Sequence, residues 1–111
     1  MKLILKALTL AATMFANSAS AYDPDDLQKL KDTGSCVACF LQNANLMDAN
    51  LSYFNLEIAD LSGANLEEAN LKGANLDGAN LNEARLSYAY MKGAILCNTT
   101  MPDGSVIYSG C

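Results

Sequence analysis

Between Cys39 and Asp103 the chain divides into consecutive fives: CFLQN, ANLMD, ANLSY, FNLEI, ADLSG, ANLEE, ANLKG, ANLDG, ANLNE, ARLSY, AYMKG, AILCN, TTMPD. The third position of these thirteen units is Leu in eleven and Met in two, and the first is Ala in ten. The second is Asn in seven and Asp at Asp60. A five-residue step fits neither regular element. On an α-helix it advances the side-chain direction by a net ~140°, which would smear the leucines around the cylinder. On a straight strand an odd period sends alternate leucines to opposite faces. A constantly inward Leu therefore requires the chain to turn once per unit.

Within a unit, Ala and Leu two residues apart share the inner face of a short strand, and the Asn between them points out. The last two positions make the corner. Gly63, Gly73, Gly78 and Gly93 stand at the fifth position, where a turn can need φ > 0. The pattern predicts a solenoid whose coils stack by backbone pairing, each burying its apolar face against the next. The core ladder is Leu41, Leu46, Leu51, Leu56, Leu61, Leu66, Leu71, Leu76, Leu81, Leu86, Met91, Leu96 and Met101. The Asn column reads as turn hydrogen bonding rather than ligand binding. Phe54, the one large residue in the Ala position, predicts a local bulge or a seat for the N-terminal helix, with the regular pattern disturbed there.

The repeated A-N-L-x-x unit resembles the pentapeptide-repeat family. That resemblance implies an all-β solenoid: a right-handed quadrilateral β-helix with four units, twenty residues, per coil. Thirteen units then make about three coils, a rod ~15 Å long at the ordinary strand spacing of ~4.8 Å. Residues twenty apart become neighbours. Glu57 and Asp77 share one outward column, and Asp48 and Glu68 another. Both pairs read as a solvated acidic face.

Both ends of such a rod expose core and backbone edges and need caps. In DPDDLQKLKD (23–32), Asp23 suits the N-cap, Pro24 the first helical position, and Asp25 and Asp26 the first turn. Leu27 and Leu30 would cover the first coil, and Gly34 ends the helix. At the other end Pro102-Asp103-Gly104 signals a turn, after which Val106, Ile107 and Tyr108 can lie over the last coil. Tyr88 and Tyr90 are expected to pack under that cap. The competing reading makes them, with Tyr53, an exposed surface that anchors a partner. The short helix, the Cys-x-x-Cys ahead of the repeats and the tail resemble small exported members of the family in bacteria, cyanobacteria especially.

Met1 to Ala21, MKLILKALTLAATMFANSASA, reads as an export signal. Lys2 and Lys6 supply the positive start, Ala7–Ala16 is apolar but too short to span a bilayer, and Ala19-Ser20-Ala21 suits a signal peptidase. The organisation expected is a signal peptide at 1–21, a capping helix and loop at 22–38, the β-helix at 39–103 and a C-terminal cap at 104–111. Without Lys2 and Lys6 the remaining 90 residues carry 5 basic and 12 acidic side chains, a net charge of −7. Such a product is poorly matched to nucleic acid or anionic lipid. The compartment expected is the periplasm or the exterior, or a thylakoid lumen in a cyanobacterium.

The four cysteines, Cys36, Cys39, Cys97 and Cys111, flank the repeats. In an exported domain they read as disulfides, for which three pairings exist. On the rod that the resemblance implies, Cys36–Cys39 and Cys97–Cys111 each stay at one end, whereas the crossed pairings would have to bridge its length. A redox pair at Cys36 and Cys39 and a Cys₄ zinc site are the sharper alternatives. The chain has no His, which removes the commonest acid–base group. No catalytic residue, cofactor or metal site is expected.

The function that follows is a non-catalytic structural or protein-interaction module, exported and presenting a rigid acidic surface to an unidentified protein partner, as a monomer or weak dimer. The alternatives are a DNA-mimicking, gyrase-binding protein, for which this rod is short, and a thiol–disulfide role at Cys36 and Cys39.

Overall fold

The computed structural model describes residues 22–111. The export signal read at 1–21 lies outside the described residues. The first element is α1, Pro24–Thr33. The Asp23 carboxylate accepts from the Asp25 N–H at 2.9 Å, and Gly34, at φ 73°, donates its N–H to the Leu30 carbonyl. A left-handed residue at this point satisfies a carbonyl that the helix end would orphan. The helix is fastened to the first coil by polar bonds. Asp23 N–H donates to the Phe40 carbonyl, and the Phe40 N–H donates to the Asp26 carboxylate at 2.8 Å. Leu30 is fully buried beneath it.

From Ser35 onward, parallel bridges join residues twenty apart: Ser35 to Asn55, Phe40 to Asp60, Asn45 to Asn65, Asn50 to Asn70, and so on to Asn80 with Thr100. Four five-residue sides therefore make each coil. The bonding repeats with the sequence. The Leu41 N–H donates to the Asp60 carbonyl, Asn43 N–H to Ser62, and Asn65 N–H to Ala44, all at 2.8–2.9 Å. Within each unit the Leu carbonyl accepts from the N–H that opens the next unit, as Leu61 does from Ala64 at 3.0 Å. That bond closes the corner.

Every fifth position from Asn43 to Asn98 has positive φ, and the glycines are a minority among them. Asn43, Asp48, Tyr53, Ile58, Glu68, Glu83, Tyr88 and Asn98 lie between 54° and 62°. Side chains with a Cβ rarely adopt this region, a β-branched Ile least of all. Here the next coil over-determines it, because the fifth-position N–H donates to that coil. Tyr53 to Lys72 and Ile58 to Asp77, both 2.8 Å, are examples. The second position supports the same corner. Asn45, Asn50, Asn55, Asp60, Asn65, Asn70, Asn75 and Asn80 each accept, through Oδ1, from the N–H two residues on, at 2.9–3.2 Å. This is the local turn bond that favours Asn and Asp at such sites.

The core is the inward Leu column with Ala beside it. Leu41 through Leu81 are at most 3% exposed. The ladder does not stay closed to its end. Leu86, Met91, Leu96 and Met101 pack against the core but remain partly exposed. They belong to the last turn of the solenoid, and a coil needs a neighbour on both sides to close. On two sides of that turn the neighbour is a strand. Leu96–Thr100 (β1) pairs antiparallel with Val106–Ser109 (β2), with an irregularity between Cys97 and Thr99. Strand alternation turns Ile107 inward and leaves Val106 and Tyr108 outside, at 46% and 69% exposure.

Phe54 corrects one expectation. The bonding on either side of it is undisturbed: the Phe54 N–H donates to the Leu51 carbonyl at 3.2 Å, and its own carbonyl accepts from Asn75 at 2.9 Å. There is no bulge, because Phe54 is in the first coil and its upper neighbour in the column is Gly34. A Cβ built on Gly34 would meet the Phe54 ring at 3.3 Å. The ring uses the space that a side chain there would fill, under the helix end.

Candidate interaction surface

The twenty-residue coil sorts the outward side chains onto four sides. The first holds units 39–43, 59–63, 79–83 and 99–103. The second holds 44–48, 64–68 and 84–88, the third 49–53, 69–73 and 89–93, and the fourth 54–58, 74–78 and 94–98. Carboxylates fall on three of them. Asp60, Glu83 and Asp103 lie on the first, Asp48, Glu67 and Glu68 on the second, and Glu57 and Asp77 on the fourth. The third side carries none. It carries Lys72 and Lys92, the cations of the solenoid other than Arg85.

The acidic sides are tied into their surroundings. Arg85 on the second side pairs with Glu67 at 3.2 Å, and Asp60 accepts from the Gln42 amide at 2.7 Å. The Ser105 hydroxyl and N–H both donate to Asp103 Oδ1. These bonds favour the ionised form and hold the Asp103 carboxyl below its ordinary pKa, the hydroxyl contributing most. Glu57 and Asp77 stack by register, as do Asp48 and Glu68. Among the described residues, no three groups of the metal-ligating kind gather at one point.

The tyrosines are not covered. Tyr53 is 68% exposed, Tyr88 89% and Tyr90 50%. The expectation that Tyr88 and Tyr90 pack under the C-terminal cap is thus overturned. β2 extends the first and fourth sides, through its pairing with Leu96–Thr100, whereas Tyr88 and Tyr90 stand on the second and third. Tyr53 lies across the glycine one coil below it, since a Cβ on Gly73 would collide with its ring. A pocket of about 360 Å³ opens between α1 and the first coil, lined by Leu30, Lys31, Asn45, Leu46, Met47, Ala49, Asn50, Leu51 and Phe54. It sits above the second and third sides, where the first coil has no coil before it.

Cys36 is bonded to Cys39 and Cys97 to Cys111, with S–S distances of 2.05 Å. Cys36 and Cys39 are 0% and 2% exposed. Thiol exchange needs an accessible sulfur, and Cys36 and Cys39 are buried. The second disulfide joins Cys111 to Cys97, within β1 on the last coil. The segregation of charge by side was invisible in the linear sequence, although counting residues modulo twenty would have exposed it.

Residues 59–98 match the family model for pentapeptide repeats, in eight copies. Comparison with curated proteins finds no match. Solved structures similar to this chain include three pentapeptide repeat proteins. One is HetL, a pentapeptide repeat protein involved in heterocyst differentiation regulation from the cyanobacterium Nostoc sp. strain PCC 7120, at 38% identity over 66% of this chain and 36% of that one, TM-score 0.38. Another comes from the cyanobacterium Cyanothece 51142, at 30% identity over 68% and 54%, TM-score 0.44. The third is a protein of the Arabidopsis thaliana thylakoid lumen, at 32% identity over 60% and 54%, TM-score 0.36. The chain thus spans about a third of the first and about half of the other two. With eight family repeats in register and the same five-residue spacing continuing on both sides of them, the chain belongs to the pentapeptide-repeat family.

Proposed function

We propose that this protein is a non-catalytic structural or interaction module, a right-handed quadrilateral β-helix of about three coils that presents a rigid acidic surface to a protein partner. The observation that carries this reading is the placement of carboxylates in fixed outward columns on three of four sides of a scaffold held by repeated backbone bonds. Such a surface needs no ordering when it binds, so little conformational entropy is lost. Fixed like charges also repel wrong partners and steer basic ones.

Export supports the reading and is part of it. The Met1–Ala21 segment has the layout of a secretory signal, and two disulfides pin the ends. The compartment proposed is the periplasm, the exterior or a thylakoid lumen. A gyrase-binding duplex mimic is the weaker reading, because about three coils at ~4.8 Å each span ~15 Å, less than half of the ~34 Å turn of a duplex.

The test has two arms. Mass spectrometry of the exported protein without reductant should give an N-terminus near Tyr22 and a mass short of four thiol hydrogens. Affinity capture from an envelope extract, with wild type and a variant neutralised at Glu57, Asp77 and Glu83, should retain a protein that the variant loses. A start at Met1 with free thiols would remove the compartment argument. Identical capture by both proteins would remove the acidic-surface argument.

A further inference from the structure

At the helix end of the rod, the corner between the fourth and first sides exposes apolar side chains where the repeat favours polar ones. Val37 is 40% exposed, Phe40 58% and Ile58 62%. Phe40 stands in the second position, which is Asn or Asp in eight of the thirteen units. Positive φ is common to the fifth positions, but Ile58 is the one β-branched residue among those described with it. Asn or Gly would hold that corner at lower cost. Bonding brings the three together. Ser35 bridges Asn55, so residues 34–38 open the fourth side. The Ala38 N–H donates to the Glu57 carbonyl at 2.8 Å, and the Asp60 N–H to the Cys39 carbonyl at 2.9 Å. Residues 37–40 therefore lie over 57–60, on two adjacent coils about 4.8 Å apart.

This corner is held from several directions. The Cys36–Cys39 disulfide closes the loop that carries Val37. The Phe40 N–H is bonded to the Asp26 carboxylate and its carbonyl to the Asp23 N–H. Phe40 thus offers no free backbone edge to an added strand, so a partner must read side chains here. Carboxylates stand at both axial ends of the patch. Asp25 and Asp26 lie in the first turn of α1, and Glu57, Asp60 and Asp77 lie on the coil side. Among the described residues the one ion pair joins Arg85 to Glu67, so none of these five is paired with a cation. A second copy of the chain would bring the same charges against them, and an anionic membrane would be repelled likewise.

We propose that this corner anchors an amphipathic, basic helix of a protein partner. Val37, Phe40 and Ile58, spread over two coils and three residues of chain, span about 5–10 Å. Apolar side chains at i, i+4 and i+7 of a helix have that spacing, and Lys or Arg beside them would meet the flanking carboxylates. Exposed apolar groups that are already fixed in place give such contacts at little entropic cost. The proposal rests on the interaction reading above and deepens it by naming the anchor and the class of partner.

The test uses the purified protein with both disulfides formed. A synthetic Leu/Lys amphipathic helix is titrated into it and followed by amide NMR shifts. A Leu/Glu helix of the same pattern and a Ser/Lys peptide of the same charge are the controls. The expected result is saturable binding with shifts concentrated at 37–40 and 57–60, and at least about tenfold weaker binding of either control. Phe40→Asn/Ile58→Asn, which writes residues of the repeat back into both positions, should lose at least about tenfold in affinity while unfolding no earlier than wild type. Tyr88→Asn, at a corner where the side chain is 89% exposed, should leave binding unchanged. Shifts spread evenly over the acidic sides, equal binding of the Ser/Lys peptide, or undiminished binding by the double variant would each overturn the proposal. In the envelope capture, a partner lost on neutralising Glu57, Asp77 and Glu83 but kept by Phe40→Asn/Ile58→Asn would overturn the corner and leave the acidic surface standing. Capture that neither variant alters would remove both.

Discussion

Substituting one leucine in each coil of a single column tests the stacked-coil account directly. The column Leu46, Leu66, Leu86 serves, because its exposures differ while the chemistry does not. Leu66 is fully buried between the other two, Leu46 is 3% exposed under the helix end, and Leu86 is partly exposed on the last coil. A buried Leu→Ala change costs the transfer energy of the lost carbons plus a cavity term, together 2–5 kcal/mol. Leu66→Ala has coils above and below that are hydrogen-bonded to its own, so the hole cannot collapse, and a loss of about 3–4 kcal/mol is expected. Leu86→Ala removes a group that was only partly out of water and opens toward solvent, so about half that loss is expected. Leu46→Ala should fall near Leu66→Ala. Urea unfolding followed by circular dichroism, disulfides intact, gives the three values, and unchanged m-values certify that the same cooperative unit is being compared. A Leu86→Ala loss equal to or larger than that of Leu66→Ala would refute the reasoning.

The two disulfides should contribute unequally. In the chain-entropy model Cys97–Cys111, closing a loop of about 15 residues, is worth ~3 kcal/mol and Cys36–Cys39, closing about four, ~2 kcal/mol; denaturant midpoints of the Cys→Ser pair variants check this. On the third side, Gly73→Ala should cost more than Gly93→Ala. Both adopt positive φ, but only the former forces aside the Tyr53 ring, and adding Tyr53→Ala should recover the excess, read as a shift in Tm. Ile58→Asn should stabilise by about 1 kcal/mol, since Asn tolerates the left-handed corner that Ile58 holds at φ 60° while 62% exposed. Asp103 has a lowered folded-state pKa, so its contribution is present above the ordinary carboxylate range and fades as pH falls through the folded value. Ser105→Ala should raise that pKa, visible in a carboxyl NMR titration; an unmoved titration would show that the Ser105 hydroxyl bond does not set it.

The repeating Leu and Ala, the Asn before each Leu and the isolated glycines were enough to establish a chain that turns every five residues. Helix signals are local, so Asp23, Pro24 and Gly34 marked α1 in the linear sequence. Period five alone left open how many units close a coil, and that number decides everything on the surface. Backbone pairing between residues twenty apart fixes it, and neighbours on the rod are therefore far apart in the chain. That register forces Tyr53, Ile58 and Tyr88 into a left-handed corner their own propensities oppose. It also confines the solenoid's carboxylates to three sides and gathers Lys72, Lys92, Tyr53 and Tyr90 on the remaining one, the third. The partial exposure of Leu86 and Met91 was likewise settled in three dimensions, because burial depends on what stacks next and the repeat unit itself is blind to where the stack ends.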